Sequence, residues 1–162
     1  MTDSGRDLAR YLPLSIRPRV DESAVSGDWD RHLGDLVGAV DALGTVDALG
    51  TVAYRPGARD AFDTAVTDAR RRRRVRVRDL GTALVEAYEL DDRHLLVVDP
   101  VISGAVCLAR ALAAPLPVRA VVRGRRLVAT DAGWELGTGR ELAGTARELT
   151  LFLYGRAGLP GS

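Results

Sequence analysis

Apolar side chains return at three- and four-residue spacing through Trp29, Leu33, Leu36, Val37, Val40 and Leu43, which places them on one face of a helix. Asp28 stands in front of them as an N-cap. The chain then repeats itself, with Val-Asp-Ala-Leu-Gly-Thr at 40–45 and again at 46–51, a local duplication too short for a repeat architecture. Gly44 and Gly50 each weaken a continuous helix by about 1 kcal/mol. The pattern therefore predicts a helix that ends near Gly44 and a loop up to Pro56-Gly57. A second helix is predicted over 58–72, with Phe62, Ala65, Val66 and Ala69 inward, and a third over 79–88, with Leu80, Ala83, Leu84 and Ala87 inward. The apolar run 94–98 is too brief to assign by period. Asp99-Pro100 combines an N-cap with proline at the first helical position. The helix it opens is predicted to reach about Ala113, burying Val101, Ala105, Leu108, Ala109 and Leu112, and to end at Pro115 and Pro117.

Beyond Pro117 the pattern changes. Short apolar runs at 118–122 and 127–130, then Trp134 with Leu136, alternate with turns at 123–124, 131–133 and 137–139. That alternation predicts the strands of a meander. Thr145 and Glu148 have capping-box spacing, so a helix should begin there, with Ala146, Leu149, Phe152 and Leu153 on one face and Gly155 as its left-handed stop. The fold class expected is α+β, a reduced helical bundle followed by a small antiparallel sheet with a C-terminal helix. Four parts are expected: an N-terminal arm at 1–26 with a short helix at 6–12, a helical region at 27–116, an α+β C-terminal domain at 117–157 and a tail at 158–162.

Composition narrows the chemistry. All 23 basic residues are arginine, and lysine, asparagine and glutamine are absent. This bias is that of a very G+C-rich genome, which an actinobacterium fits. Without lysine there is no Schiff base, no pyridoxal anchor and no P-loop lysine. With only His32, His94 and Cys107, one chain assembles neither a three-histidine nor a multi-cysteine zinc site and forms no internal disulfide. The formal charge of +1 gives no overall bias toward nucleic acid or membrane. No apolar run approaches the roughly 20 residues of a membrane span, and the first 19 residues lack the pattern of a signal peptide. The expected location is the cytoplasm.

Local chemistry is concentrated at 70–78, where seven of nine residues are arginine. Such a run is a candidate phosphate-binding stripe, for nucleic acid or for a small anion. Arginines at a helix C-terminus also complement its dipole without any ligand, and no aromatic residue is interleaved to stack on bases. His32 is a candidate general base or a half-buried structural residue beside Trp29 and Leu33. His94 reads as a surface residue and Cys107 as a small core residue. Asp91-Asp92 with Asp99 forms a candidate hard-cation cluster that capping explains equally well. Residues 95–104 are similar to the ribose-phosphate motif of phosphoribosyltransferases, but Pro100 replaces the second acid and the Thr-Gly part of the loop is missing.

The Asp-Ala-Gly-Trp turn at 131–134, the Gly-Thr-Gly turn at 137–139, the Ala-Gly-Thr-Ala lead-in at 143–146 and a leucine-rich helix closing on Gly155-Arg156 together resemble the C-terminal domain of the mycothiol-dependent maleylpyruvate isomerase family. That resemblance implies an N-terminal DinB-like bundle joined to a small α+β domain similar to sterol carrier folds. It also implies a divalent metal held by a histidine in an Asp-Leu-Val-x-His setting and by a Glu-x-x-x-His pair. Here Ala39 stands at the first histidine after Asp35-Leu36-Val37-Gly38, Arg76 at the second and Arg72 at the glutamate. Arginine stays protonated and offers only donors, so it does not replace a ligand. The resemblance then points to a divergent protein that has lost the metal site. It would bind or act on a small anionic or thiol-bearing molecule, with no metal and with mycothiol as the family's cofactor. The residues expected to matter are Arg72, Arg76, Arg78 and Trp134 for ligand binding, and His32, Asp79 and Arg156 for any metal-independent isomerase or transferase chemistry. Non-catalytic alternatives are a sterol-carrier-like binding or dimerisation module with an apolar tunnel at Leu136, Leu149 and Phe152, and a nucleic-acid-binding protein through 70–78. A homodimer is expected, because a full family member is longer and a second copy would complete the bundle.

Overall fold

Local capping sets where most of the helices begin. The structure, a computed structural model, describes residues 28–47 and 57–160. The expected N-terminal arm, most of the second duplicated hexamer, the loop to Pro56 and the last two tail residues lie outside the described residues. Helix α1 spans Trp29–Asp47, and the Asp28 carboxylate accepts the Arg31 N–H at 3.2 Å. It runs past Gly44, contrary to the expected stop. A lone glycine weakens a helix without supplying the left-handed residue or proline that ends one. Helix α2 spans Ala58–Arg70, two residues shorter than expected, and α3 spans Val77–Leu90, longer at both ends than expected. At the start of α3 the Asp79 carboxylate accepts the Arg76 N–H at 3.3 Å.

Helix α3 is buried on more than one face. Beyond the predicted Leu80, Ala83, Leu84 and Ala87, it also buries Gly81, Val85, Tyr88 and Leu90. Leu33, Leu36 and Val40 of α1, Phe62, Val66 and Ala69 of α2, and Ile102 and Val106 of α4 complete this first core. Each such large side chain contributes roughly 1.5–3 kcal/mol by leaving water. Gly81 is small for a reason, since a Cβ there would run into the Tyr154 hydroxyl at the end of the last helix.

Helix α4, Pro100–Leu112, buries a different face from the expected one. Ile102, Ser103, Val106 and Cys107 point inward, while Val101, Leu108 and Leu112 are 60%, 49% and 76% exposed and Ala105 and Ala109 are half-buried. The helix is apolar nearly all round, so periodicity does not select a face. Polar anchors do. Trp134 Nε1 donates to Ser103 Oγ at 3.0 Å, and Cys107 Sγ lies 3.2 Å from Thr150 Oγ1.

The expected strand at 118–122 is instead helix α5, Leu116–Val122, turned 110° from α4. Pro115 and Pro117 set helical φ at its start rather than merely closing α4. Strands β1 (Arg125–Ala129), β2 (Glu135–Gly137) and β3 (Arg140–Gly144) form a sheet in the order β2-β1-β3. It is mixed rather than antiparallel, and it is not a meander. β1 pairs with β2 antiparallel, Leu127 opposite Leu136, and with β3 parallel, Leu127 opposite Leu142. The glycine turn after the three-residue β2 carries the chain across the start of β1, where the Arg140 N–H donates to Gly124 O at 3.3 Å. Helix α6, Ala146–Leu153, begins at the expected capping box, with Thr145 N–H to Glu148 Oε2 at 2.7 Å and Glu148 N–H to Thr145 Oγ1 at 3.1 Å. It ends at Gly155 (φ 73°), where the Arg156 N–H reaches Leu151 O at 2.8 Å and the Gly155 N–H reaches Phe152 O at 2.9 Å, a Schellman close. A second core of Cys107, Leu127, Ala129, Leu142, Ala146, Leu149, Phe152 and Leu153 lies between sheet, α4 and α6, and Tyr154 packs against both cores.

Two outcomes follow from this packing. Gly81→Ala is expected to cost about 1–3 kcal/mol in urea unfolding, because the Tyr154 hydroxyl must move. Burial pushes the Cys107 thiol from its ordinary 9.0 up to about 12, against the opposing Thr150 hydrogen bond. The thiol therefore stays neutral when folded and ionises more easily when unfolded. Its contribution to stability is complete below pH 9.0 and is lost as the pH rises toward about 12. Urea midpoints should fall across that window in wild type and fall less in Cys107→Ala.

Candidate functional site

The polypeptide between α2 and α3 is short and almost wholly arginine, and its one apolar residue decides its course. Val75 is 4% exposed and packs into the first core, which pins the linker while Arg70 to Arg74, Arg76 and Arg78 remain exposed. From that anchored turn Arg72 and Arg78 reach the same carboxylate. Arg72 Nε lies 3.3 Å and Arg78 Nε 3.5 Å from Asp79 Oδ1, and the Asp79 side chain is only 11% exposed.

Together these three residues form one wall of a cleft of about 410 Å³, completed by Thr82 of α3, Ala109 and Arg110 of α4, Ala113 and Tyr154. Arg110 is held in place by the end of α6. Its Nε donates to Leu153 O at 3.1 Å, and its guanidinium carbon stands 4.6 Å from the centre of the Tyr154 ring. That hydrogen bond uses Nε alone. Burial raises the Tyr154 pKa, so its ring and hydroxyl stay neutral beside the arginine. The cleft is thus lined by three arginines and one carboxylate.

The remaining expected residues are placed elsewhere. Arg76 lines a separate shallow cleft with Arg72, Arg73, Arg74 and Val75. His32 lies on α1 with its ring centre 5.6 Å from that of Trp29, and its buried Nδ1 is 3.8 Å from Asp35 Oδ2, beyond hydrogen-bond reach. Arg156 pairs with Glu86 at 3.3 Å and Glu89 at 3.7 Å. Neither His32 nor Arg156 lines the cleft that contains Asp79. Trp134 packs against the second core over Gly104, its indole N–H taken by Ser103. Leu149 and Phe152 fill that same core with Leu136 against it.

A second cleft of about 430 Å³ escaped sequence reasoning. It lies between the 94–100 segment and the start of α6, lined by Tyr88, His94, Leu96, Val98, Asp131, Thr145 and Arg147 among others. Arg147 there is already committed: its Nη1 lies 3.2 Å from Asp91 Oδ2, with side chains 15% and 4% exposed. Burial pushes the Arg147 guanidinium down and Asp91 opposes that shift. The Asp91 carboxylate also accepts the Leu95 and Leu96 N–H groups at 3.1 and 2.8 Å. That explains Asp91 as a structural hub rather than a cation ligand. His94 closes the same turn in the left-handed conformation, φ 58°. Asp99 caps α4, accepting the Val101 N–H at 2.8 Å. Among the described residues no group of three or more histidine, cysteine, aspartate and glutamate side chains is placed to hold a metal ion, and no single helix is long and apolar enough to cross a membrane.

Asp91→Ala is expected to cost about 3–5 kcal/mol in chemical unfolding, since it leaves Arg147 buried without its partner and two backbone donors unsatisfied. The double variant Asp91→Ala with Arg147→Met should recover part of that loss. Neither a protein-family model, nor a curated protein, nor a solved structure matches this chain significantly.

Proposed function

We propose that the chain binds a small anion, a phosphate or a short carboxylate, in the cleft formed by Arg72, Arg78, Arg110, Asp79, Thr82 and Tyr154. The observation that carries this reading is the excess of charge: three arginines and one carboxylate line the cleft, with Arg72 and Arg78 paired to Asp79 and Arg110 held by Leu153 O and the Tyr154 ring. The second cleft gives weaker support, because its arginine is neutralised by Asp91 and Asp131 also lines it. Guanidinium forks pair bidentately with planar or tetrahedral oxyanions, and Thr82 and Tyr154 add hydroxyl groups to orient one.

The reading is of binding rather than turnover, since the three residues expected to catalyse are spread over separate parts of the fold. It fits the family resemblance at Arg72, which stands at a metal-ligand position and lines the cleft, whereas Arg76 lines a separate one. The capped α6 closing on Gly155-Arg156 supports the same ancestry. A nucleic-acid reading draws less support, because Arg71 pairs with Asp68 at 3.2 Å, and Arg72 and Arg78 share Asp79.

Isothermal titration of the full chain with inorganic phosphate and with succinate tests the proposal. At least one should bind, with Arg78→Ala and Arg110→Ala each weakening affinity about tenfold or more. Exposed Arg119→Ala should leave it unchanged. No binding of either probe, or equal weakening by Arg119→Ala, contradicts the reading.

A further inference from the structure

Seven large apolar side chains among the described residues are exposed, and six of them fall within one stretch: Leu95, Val97, Val101, Leu108, Leu112 and Leu116. Three belong to α4, where Val101, Ala105, Leu108 and Leu112 follow the four-three-four spacing of a coiled-coil seam. This is the stripe that the sequence pattern assigns to the core and that the fold leaves outside. Summed singly, the six expose on the order of 600 Å², against the roughly 800 Å² per partner that a stable interface buries.

Along α4 the stripe carries no charged side chain of its own. Between Asp99 and Arg119 the one ionisable side chain besides the thiol of buried Cys107 is Arg110, and it is turned inward onto Leu153 O and the Tyr154 ring. A second copy of the same face meets it without like-charge opposition. With the two helices antiparallel, Val101 stands opposite the partner's Leu112 and Ala105 opposite the partner's Leu108. Small then meets large at each level, and the helix dipoles oppose one another favourably.

We infer that α4 is a dimerisation helix and that its occupant is a second copy of this chain. The cleft proposed above does not enter the argument, because Leu108 and Leu112 do not line it. Sedimentation equilibrium of the full chain from about one to one hundred micromolar tests the inference. Wild type should be dimeric, and Leu108→Glu with Leu112→Glu monomeric with an unchanged circular dichroism spectrum. If the double variant loses its fold, Leu112→Glu alone, at a position 76% exposed, should weaken the dimer at least tenfold. A wild-type chain that stays monomeric throughout overturns the inference. So does a variant that dimerises as well as wild type, or a monomer that instead binds phosphatidylglycerol vesicles through these leucines.

Discussion

The enclosure of α3 is the constraint on which the remainder depends. A helix buried on several faces needs partners on each of them, and α1, α2, α4 and the end of α6 supply them. Close approach requires small residues, and Gly81, Ala83 and Ala87 provide them. The Tyr154 hydroxyl occupies the space where a side chain at Gly81 would begin. It brings the C-terminus of α6 against the first core and joins that core to the second.

Once Tyr154 is fixed, the arginine-lined cleft follows. Arg110 reaches the end of α6 and is oriented between Leu153 O and the Tyr154 ring. Arg78 leaves the first turn of α3, and buried Val75 holds the linker that presents Arg72. The cations are therefore positioned by packing of their neighbours, and Asp79 serves both as a cap and as the counter-charge shared by Arg72 and Arg78. Little reorganisation of the backbone is needed for an anion to enter, which favours binding by a preorganised site.

Much of this was legible in the chain, and the parts that were not have physical causes. The capping box at Thr145 and Glu148, the Asp99-Pro100 start and the Gly155 stop are local and appeared where expected. Helix α5 was hidden because Val118, Val121 and Val122 favour strands while Pro115 and Pro117 open a helix. The parallel pairing of β3 depends on a crossing over β1 that no local pattern records. The buried face of α4 was ambiguous because both of its faces are apolar, and the deciding partners, Trp134 and Thr150, are distant in sequence. Arg72 and Arg78 were recognisable as candidates, but Arg110 reads as an ordinary helix-end arginine until α6 is in place.

We propose that this convergence of arginines, and not the whole basic run, holds the ligand. Following the arginine Nε–H resonances by nuclear magnetic resonance during phosphate titration tests it most directly. Saturable shifts are expected at Arg72, Arg78 and Arg110, with Arg73, Arg74 and Arg147 unmoved. Uniform, non-saturating shifts across Arg70 to Arg74, or shifts confined to Arg147, would contradict it.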